Sequence, residues 1–302
     1  MAIPKTIVLT GASSGIGAAL TRELAADGHR LYVCARRKQR LAEVTKESQI
    51  AQYQIVDVAN EAEVVAFAEF VRAEAHHVDA LICCAGAYGP IGPFHQLNSD
   101  AWLQTLQANL FGTFLVAKHF VPLMAGRSGA RIVTFSGGGA FNPLPRFSAY
   151  AASKAAIVRL SETMAEELKP LGIAVNGVAP GFVKTEIHDA TLAAGPEASG
   201  EAFYAMTQAK LEEGAVPIEV PVACVRYLLS EAANGLTGKT LSATFDPWAS
   251  SAFRQHMGDI VASDLYTLRR INLVNLDDGG FVAALEVAPK GGSRAPAGKG
   301  NT

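Results

Sequence analysis

Charge is scarce in this chain, and neither sign prevails. Its 26 basic and 28 acidic residues leave a formal net charge of -2, and charged residues are only 18% of the 302. No broad attraction to nucleic acid or an anionic membrane follows, so any phosphate recognition has to be local. Cysteine is also sparse. Cys34, Cys83, Cys84 and Cys224 form no CxxC pair, and three of them sit in runs of Val, Ile, Leu and Ala. That pattern argues against a disulfide framework or a thiolate metal site and predicts buried thiols in a reducing compartment. No apolar run approaches the ~20 residues that span a bilayer. The opening MAIPKTIVLTG enters a strand-like run at once, with no room for a charged and then an apolar leader. A cytoplasmic protein with no metal, membrane or nucleic-acid partner is expected.

Apolar residues, by contrast, are plentiful at 49%, enough for a sheet buried on both faces. Short β-branched or apolar runs at 5–9, 31–34, 52–56, 80–84, 131–135 and 173–178 alternate with helical spacings at 18–26, 61–74, 101–124 and 148–171. This alternation predicts an α/β fold, a doubly wound parallel sheet of about seven strands with helices on both faces. The two longest helical patterns carry apolar residues wider than one core-facing stripe. They fit either a deep core or a second subunit, and a homodimer or homotetramer is expected. Further patterns predict a helix over 221–229 and a last strand over 240–243. The main domain is read as 1–244, an extension of unassigned role as 245–289, and a Gly-, Ala-, Pro- and Lys-rich stretch over 290–302 as a disordered tail.

Directly after the first strand comes Thr10-Gly11-Ala12-Ser13-Ser14-Gly15-Ile16-Gly17, and then a helix. Glycines in such a turn let backbone N–H groups and the helix N-terminus face a pyrophosphate, so a dinucleotide fits. The spacing is GxxxGxG, not GxGxxG. At the end of the second strand an acidic residue would select NAD by accepting from the ribose 2′-hydroxyl, whereas cations select the 2′-phosphate of NADP. Here the strand ends Ala35-Arg36-Arg37-Lys38. NADP(H) is favoured, with Arg36 and with Arg37 or Ser13 as contacts, and NAD(H) is the alternative. Asp57 and Val58, ending the third strand, are placed near the adenine.

Tyr150 and Lys154 are four residues apart and share one helix face. A free tyrosine titrates near ~10, too high for ready proton exchange at neutral pH. A neighbouring ammonium lowers that value and yields a general acid/base.

Together these elements resemble the short-chain dehydrogenase/reductase family, in its single-domain branch with a Rossmann fold. The resemblance spans about residues 5–243. It rests on TGASSGIG, Asp57-Val58, Ala85-Gly86, Asn109-Leu110, Tyr150-xxx-Lys154 and Pro180-Gly181-xxx-Thr185, in family order. It implies an enzyme passing a hydride between nicotinamide and a secondary alcohol or ketone, with NADPH-driven ketone reduction favoured. Tyr150 would be the acid/base, Lys154 would also bind the nicotinamide ribose, and Asn109 would help hold a relay water. Pro180, Gly181, Val183 and Thr185 would line the nicotinamide end.

Two departures stand out. Cys83-Cys84 replace the family's paired asparagines before Ala85-Gly86. Gly137 stands thirteen residues before Tyr150, where the family has a serine that donates to the substrate oxygen. Losing one such donor commonly costs ~10²–10³ in rate. Ser136, the backbone N–H groups of Gly137 and Gly138, or the substrate itself are the candidate replacements. Residues 185–217 are read as a substrate lid, and the small-molecule carbonyl or alcohol substrate beneath it is expected to be medium-sized and largely apolar. Phe94, Phe141, Leu144, Phe147, Phe182 and Phe203 are its expected apolar neighbours. Two rivals fit the same residues: a nicotinamide-dependent epimerase or dehydratase, which would show no net change in nicotinamide absorbance, and an NADPH-binding protein with weak or lost turnover.

Overall fold

The apolar runs form seven strands: β1 (Thr6–Thr10), β2 (Arg30–Ala35), β3 (Tyr53–Ile55), β4 (Ala80–Cys83), β5 (Ala130–Phe135), β6 (Ile173–Ala179) and β7 (Thr240–Ser242). All pair in parallel, in the order β3-β2-β1-β4-β5-β6-β7. The computed structural model describes residues 4–49, 52–127 and 129–269, and the compact unit that holds the sheet ends at Thr267. The doubly wound α/β fold expected from the sequence is therefore the observed one.

Successive strand residues point to opposite faces, and both faces are covered. Val8, Tyr32, Cys34 and Leu81 meet α3 (Glu61–Ala75), α5 (Gly112–Met124) and α6 (Ser148–Leu168). Ile7, Leu9, Val33 and Ile82 meet α1 (Gly15–Ala26), α2 (Lys38–Glu47) and α9 (Glu219–Leu229). On the first face Phe67 and Phe120 stack edge to face at 5.5 Å, both fully buried. Truncating either to alanine removes on the order of 3–5 kcal/mol. Cys34, Cys83 and Cys224 are buried, Cys84 is partly so, and all four are free thiols.

The strand order reverses between β1 and β4, so a crevice opens beyond their carboxyl ends. The elements that shape this crevice depart most from the sequence expectation. The helix predicted over 101–124 is α4 (Ser99–Leu106), a π-helical turn (Gln107–Phe111), then α5. A π turn sacrifices regular i→i−4 bonding and is tolerated where tertiary contacts compensate. Here buried Asn109 supplies them, as described below. The predicted helix over 148–171 ends as α6 at Leu168 and closes in a 3-10 turn.

After β6 the chain forms a 3-10 turn (Glu186–His188), α7 (Asp189–Ser199) and α8 (Glu201–Glu212). Its base is closed by a parallel bridge between Val183 and Val216, with Val216 N donating to Phe182 O at 2.8 Å. After β7, α10 (Ser251–Gln255) and α11 (Met257–Ala262) send Phe253 and Ile260 into the second core face, and Thr240 N donates to Tyr266 O at 2.8 Å. The part of the predicted extension beyond 269, and the predicted tail over 290–302, lie outside the described residues. No helix among the described residues is long and apolar enough to cross a membrane.

Candidate active site

Beyond β1 the chain turns through Gly11 and Gly15, whose φ angles are +74° and +52°. Crowding adds a second constraint. A β-carbon at Gly17 would lie 2.2 Å from Gly11 O, and one at Gly11 would lie 2.7 Å from Ala85 N. The turn is thus packed backbone on backbone. Ser14, the N-cap of α1, makes no side-chain capping bond, so the first-turn N–H groups of α1 are left for another acceptor. Such a cradle fits a pyrophosphate.

Cations gather beside it. Arg37 donates to Ser13 Oγ at 3.4 Å, to Ser14 Oγ, and from Nη1 to Glu186 Oε2 at 2.7 Å. Arg36 Nη1 lies 3.6 Å from Asp57 Oδ2. Ser13 and Arg37, bonded to each other, and Arg36, paired with Asp57, all line the same cavity. One cavity of about 1240 Å³ runs from here along the carboxyl edge of the sheet. It is lined by the glycine turn with Ile16, then by Val58, Ala85 and Gly86, then by Pro180, Gly181, Val183 and Thr185, and finally by Tyr150 and Lys154.

Asn109 lies behind that wall and is fully buried. Its Oδ1 accepts from Ala87 N at 2.9 Å, and its Nδ2 donates to Ala87 O and to Ser153 Oγ, each at 2.9 Å. The π turn is thereby tied to the strand β4 exit. Lys154 Nζ donates to Phe135 O at 2.9 Å and sits 5.6 Å from the Tyr150 ring centre. A β-carbon at Gly86 would lie 3.3 Å from Asn109 Oδ1 and 3.5 Å from Lys154 Nζ, so glycine lets these groups converge.

The titration directions correct one expectation. Burial raises the Tyr150 phenol above the ordinary tyrosine value and pushes Lys154 down to about 8. The predicted lowering of Tyr150 by Lys154 is not the net outcome, because desolvation disfavours both charged forms and the ammonium faces a carbonyl.

The place of the family serine is filled by the tyrosine itself. A β-carbon at Gly137 would lie 2.4 Å from Tyr150 Oη. Ser136, the expected surrogate, is buried, and its hydroxyl donates to Val178 O at 3.3 Å, beside its own amide bond to the same oxygen. Its donor is committed to β6. Among the described residues, the amides of Gly137 and Gly138 have no hydrogen-bond partner, and both glycines line the cavity.

Two substrate-end residues went unread in the sequence. Tyr88 packs edge-on against Tyr150 at 4.6 Å and against Phe147 at 5.2 Å. Its Oη is 3.1 Å from Nδ1 of His188, which stacks on Phe182 at 3.8 Å. Burial pushes His188 down to about 4, so it is neutral at physiological pH. Their only sequence signal is position, two residues past Gly86 and three past Thr185. Of the expected apolar neighbours, Phe141, Leu144, Phe182 and Phe203 line the cavity, Phe147 is buried behind Tyr88, and Phe94 is exposed elsewhere.

Residues 5–194 match the family described as short chain dehydrogenase. The chain is 30% identical over 249 residues to a monensin polyketide synthase putative ketoacyl reductase of Streptomyces virginiae, covering 79% of this chain and 95% of that protein. It is 34% identical over 184 residues to the granaticin polyketide synthase putative ketoacyl reductase 1 of Streptomyces violaceoruber, covering 59% and 67%. Among solved structures, an actinorhodin polyketide ketoreductase variant with NADPH superposes with a TM-score of 0.69 at 28% identity, over 80% of this chain and 97% of that one. A short-chain type dehydrogenase/reductase from Mycobacterium ulcerans gives 0.70 at 27% identity, over 80% and 89%.

Proposed function

This chain belongs to the short chain dehydrogenase family and is an oxidoreductase of alcohol and carbonyl groups; from that premise we propose that it reduces a ketone with NADPH, using Tyr150 as the general acid. The observation that carries this reading is one cavity with the Arg36, Arg37 and Ser13 cluster at one end and Tyr150 with Lys154 at the other. When bound, the nicotinamide supplies the hydride that the carbonyl carbon receives. The glycine turn and the uncapped start of α1 hold the pyrophosphate, while Arg36, Arg37 and Ser13 hold the 2′-phosphate.

The raised Tyr150 phenol is protonated at neutral pH, the form that reduction needs. Its Oη gives that proton to the substrate oxygen, and the Lys154 charge stabilises the phenolate left behind. Asn109 acts through Ala87 and Ser153, fixing the wall beside Lys154. The unpartnered amides of Gly137 and Gly138 take over the donor role of the family serine, since Ser136 is engaged by Val178. The rim residues Phe141, Leu144 and Phe203 suit a medium-sized, largely apolar compound. The ketoacyl reductase relatives point further, to a ketone carried on an acyl chain.

Gly137 also motivates a second reading, an NADPH-binding protein with weak turnover. One variant separates the two. Tyr150→Phe is expected to lower ketone-dependent NADPH oxidation by about 10²–10⁴-fold, with NADPH affinity within about twofold. Wild-type turnover no better than that of Tyr150→Phe across a ketone panel would select the second reading.

A further inference from the structure

The cation cluster at the adenosine end is already occupied by a carboxylate that arrives from across the cleft. Glu186 opens the 3-10 turn that follows the Pro180-Gly181 segment, on the far side of the glycine turn from α2. Its Oε2 accepts from Arg37 Nη1 at 2.7 Å, and its Oε1 pairs with Arg40. The same segment presses on the turn: a β-carbon at Gly15 would lie 3.1 Å from Thr185 Cγ2. Residues 185–188 therefore lie against the pyrophosphate cradle and are clasped to the first turn of α2 by one side chain.

We propose that Glu186 is a specificity-determining residue for the cofactor, an internal anion that occupies Arg37 and Arg40 until a 2′-phosphate displaces it. This rests on the NADP(H) reading given above. A carboxylate and a phosphate present oxygens of similar geometry, and the arginine fork binds either. Both anions cannot share the same guanidinium faces without like-charge repulsion, so a phosphate that takes Arg37 must release Glu186. Asp57, 3.6 Å from Arg36, is a second carboxylate at the same cluster, so Arg36 is itself shared between an internal anion and the 2′-phosphate and does not relieve the competition at Arg37. NADH carries no 2′-phosphate and leaves the clasp unchallenged. Glu186 accordingly holds the preference for NADPH below what the arginines alone would give, and it ties occupation of the phosphate site to release of residues 185–188.

The test measures binding rather than turnover, by calorimetric titration of the full chain with NADPH, NADH and 2′,5′-ADP. Glu186→Gln and Glu186→Ala are expected to tighten NADPH and 2′,5′-ADP about tenfold and to leave NADH within about twofold. Because the pair is partly exposed, both variants are expected to melt close to wild type. Unchanged affinities, or equal weakening of NADPH and NADH, would overturn the inference; the latter would make Glu186 a clasp over bound cofactor instead. Arg37→Ala tests the premise separately. If Arg37→Ala weakens NADPH selectively while Glu186→Gln changes nothing, only the role of Glu186 fails. If Arg37→Ala and Arg36→Ala weaken both cofactors alike, the NADP(H) reading fails with it.

Discussion

At the adenosine end of the cleft, Ser13, Ser14, Arg37, Arg40 and Glu186 are joined by exposed charge and short polar bonds. At the substrate end, Tyr88, Phe147, Tyr150 and His188, all buried, are joined by ring contacts. The first end is a screened, adjustable surface whose energies are small and salt-dependent. The second is a packed core in which space and desolvation decide, as the directions of Tyr150, Lys154 and His188 show. Under the proposed function, the cofactor is read electrostatically at the first end and the substrate sterically at the second. Changes at the two ends are expected to fail in different ways.

The sharpest test of the packed end is Gly137→Ser, which restores the family residue. Its β-carbon would fall 2.4 Å from Tyr150 Oη, so the ring has to move. A displacement of this kind costs about 10² in turnover, and steady-state kinetics read it directly. A gain in activity would show that Tyr150 yields easily and that packing does not set this site.

Next comes pH. Lys154 titrates at about 8 in the folded chain against an ordinary 10.5. As pH rises through 8 its charge is lost, so kcat/KM for ketone reduction is expected to fall by up to about tenfold per unit. A profile flat from about pH 7 to 10 would remove Lys154 from the mechanism. The linked stability runs the other way. The folded value is depressed, so between about 8 and 10.5 the unfolded chain binds more protons and stability rises with pH. Below pH 8 the full cost of the buried charge is present.

The charged end predicts a selective loss. Arg36→Ala is expected to weaken NADPH by roughly five- to tenfold more than NADH, measured by cofactor fluorescence, and equal losses would show that this end does not read the phosphate. The smallest effect belongs to Ser136→Ala. Losing its 3.3 Å bond to Val178 O costs about 1 kcal/mol of stability and leaves turnover within about threefold. A hundredfold fall in turnover would return Ser136 to the substrate oxygen.

The charged end was also the more legible in sequence. Gly11, Gly15, Gly17, Arg36 and Arg37 come from two short stretches, and both stretches line the one cavity. The strands were legible because both faces are buried, which makes their apolar runs continuous. The π turn at Asn109 was not, because an apolar stripe over 101–124 tolerates one wide turn, and the bonds that hold it open come from Ala87. Tyr88 and His188 were missed because they meet only in the fold. The alternation of small residues with Gly195, Pro196 and Gly200 hid α7 and α8, two helices short of a regular apolar face.

The bridge between Val183 and Val216 gives the segment it encloses a particular independence. Both stems are held at one neck beside the sheet, so the conformational entropy of closing the excursion is already met there. Lengthening it would add only about 0.6 kcal/mol per doubling. An insert replacing α7 and α8 would leave the neck and the parallel sheet in place but would have to supply the packing that Phe203 gives Phe147. Beyond the neck, the same segment is fastened to the rest of the molecule through Phe203 against Phe147 and His188 against Tyr88.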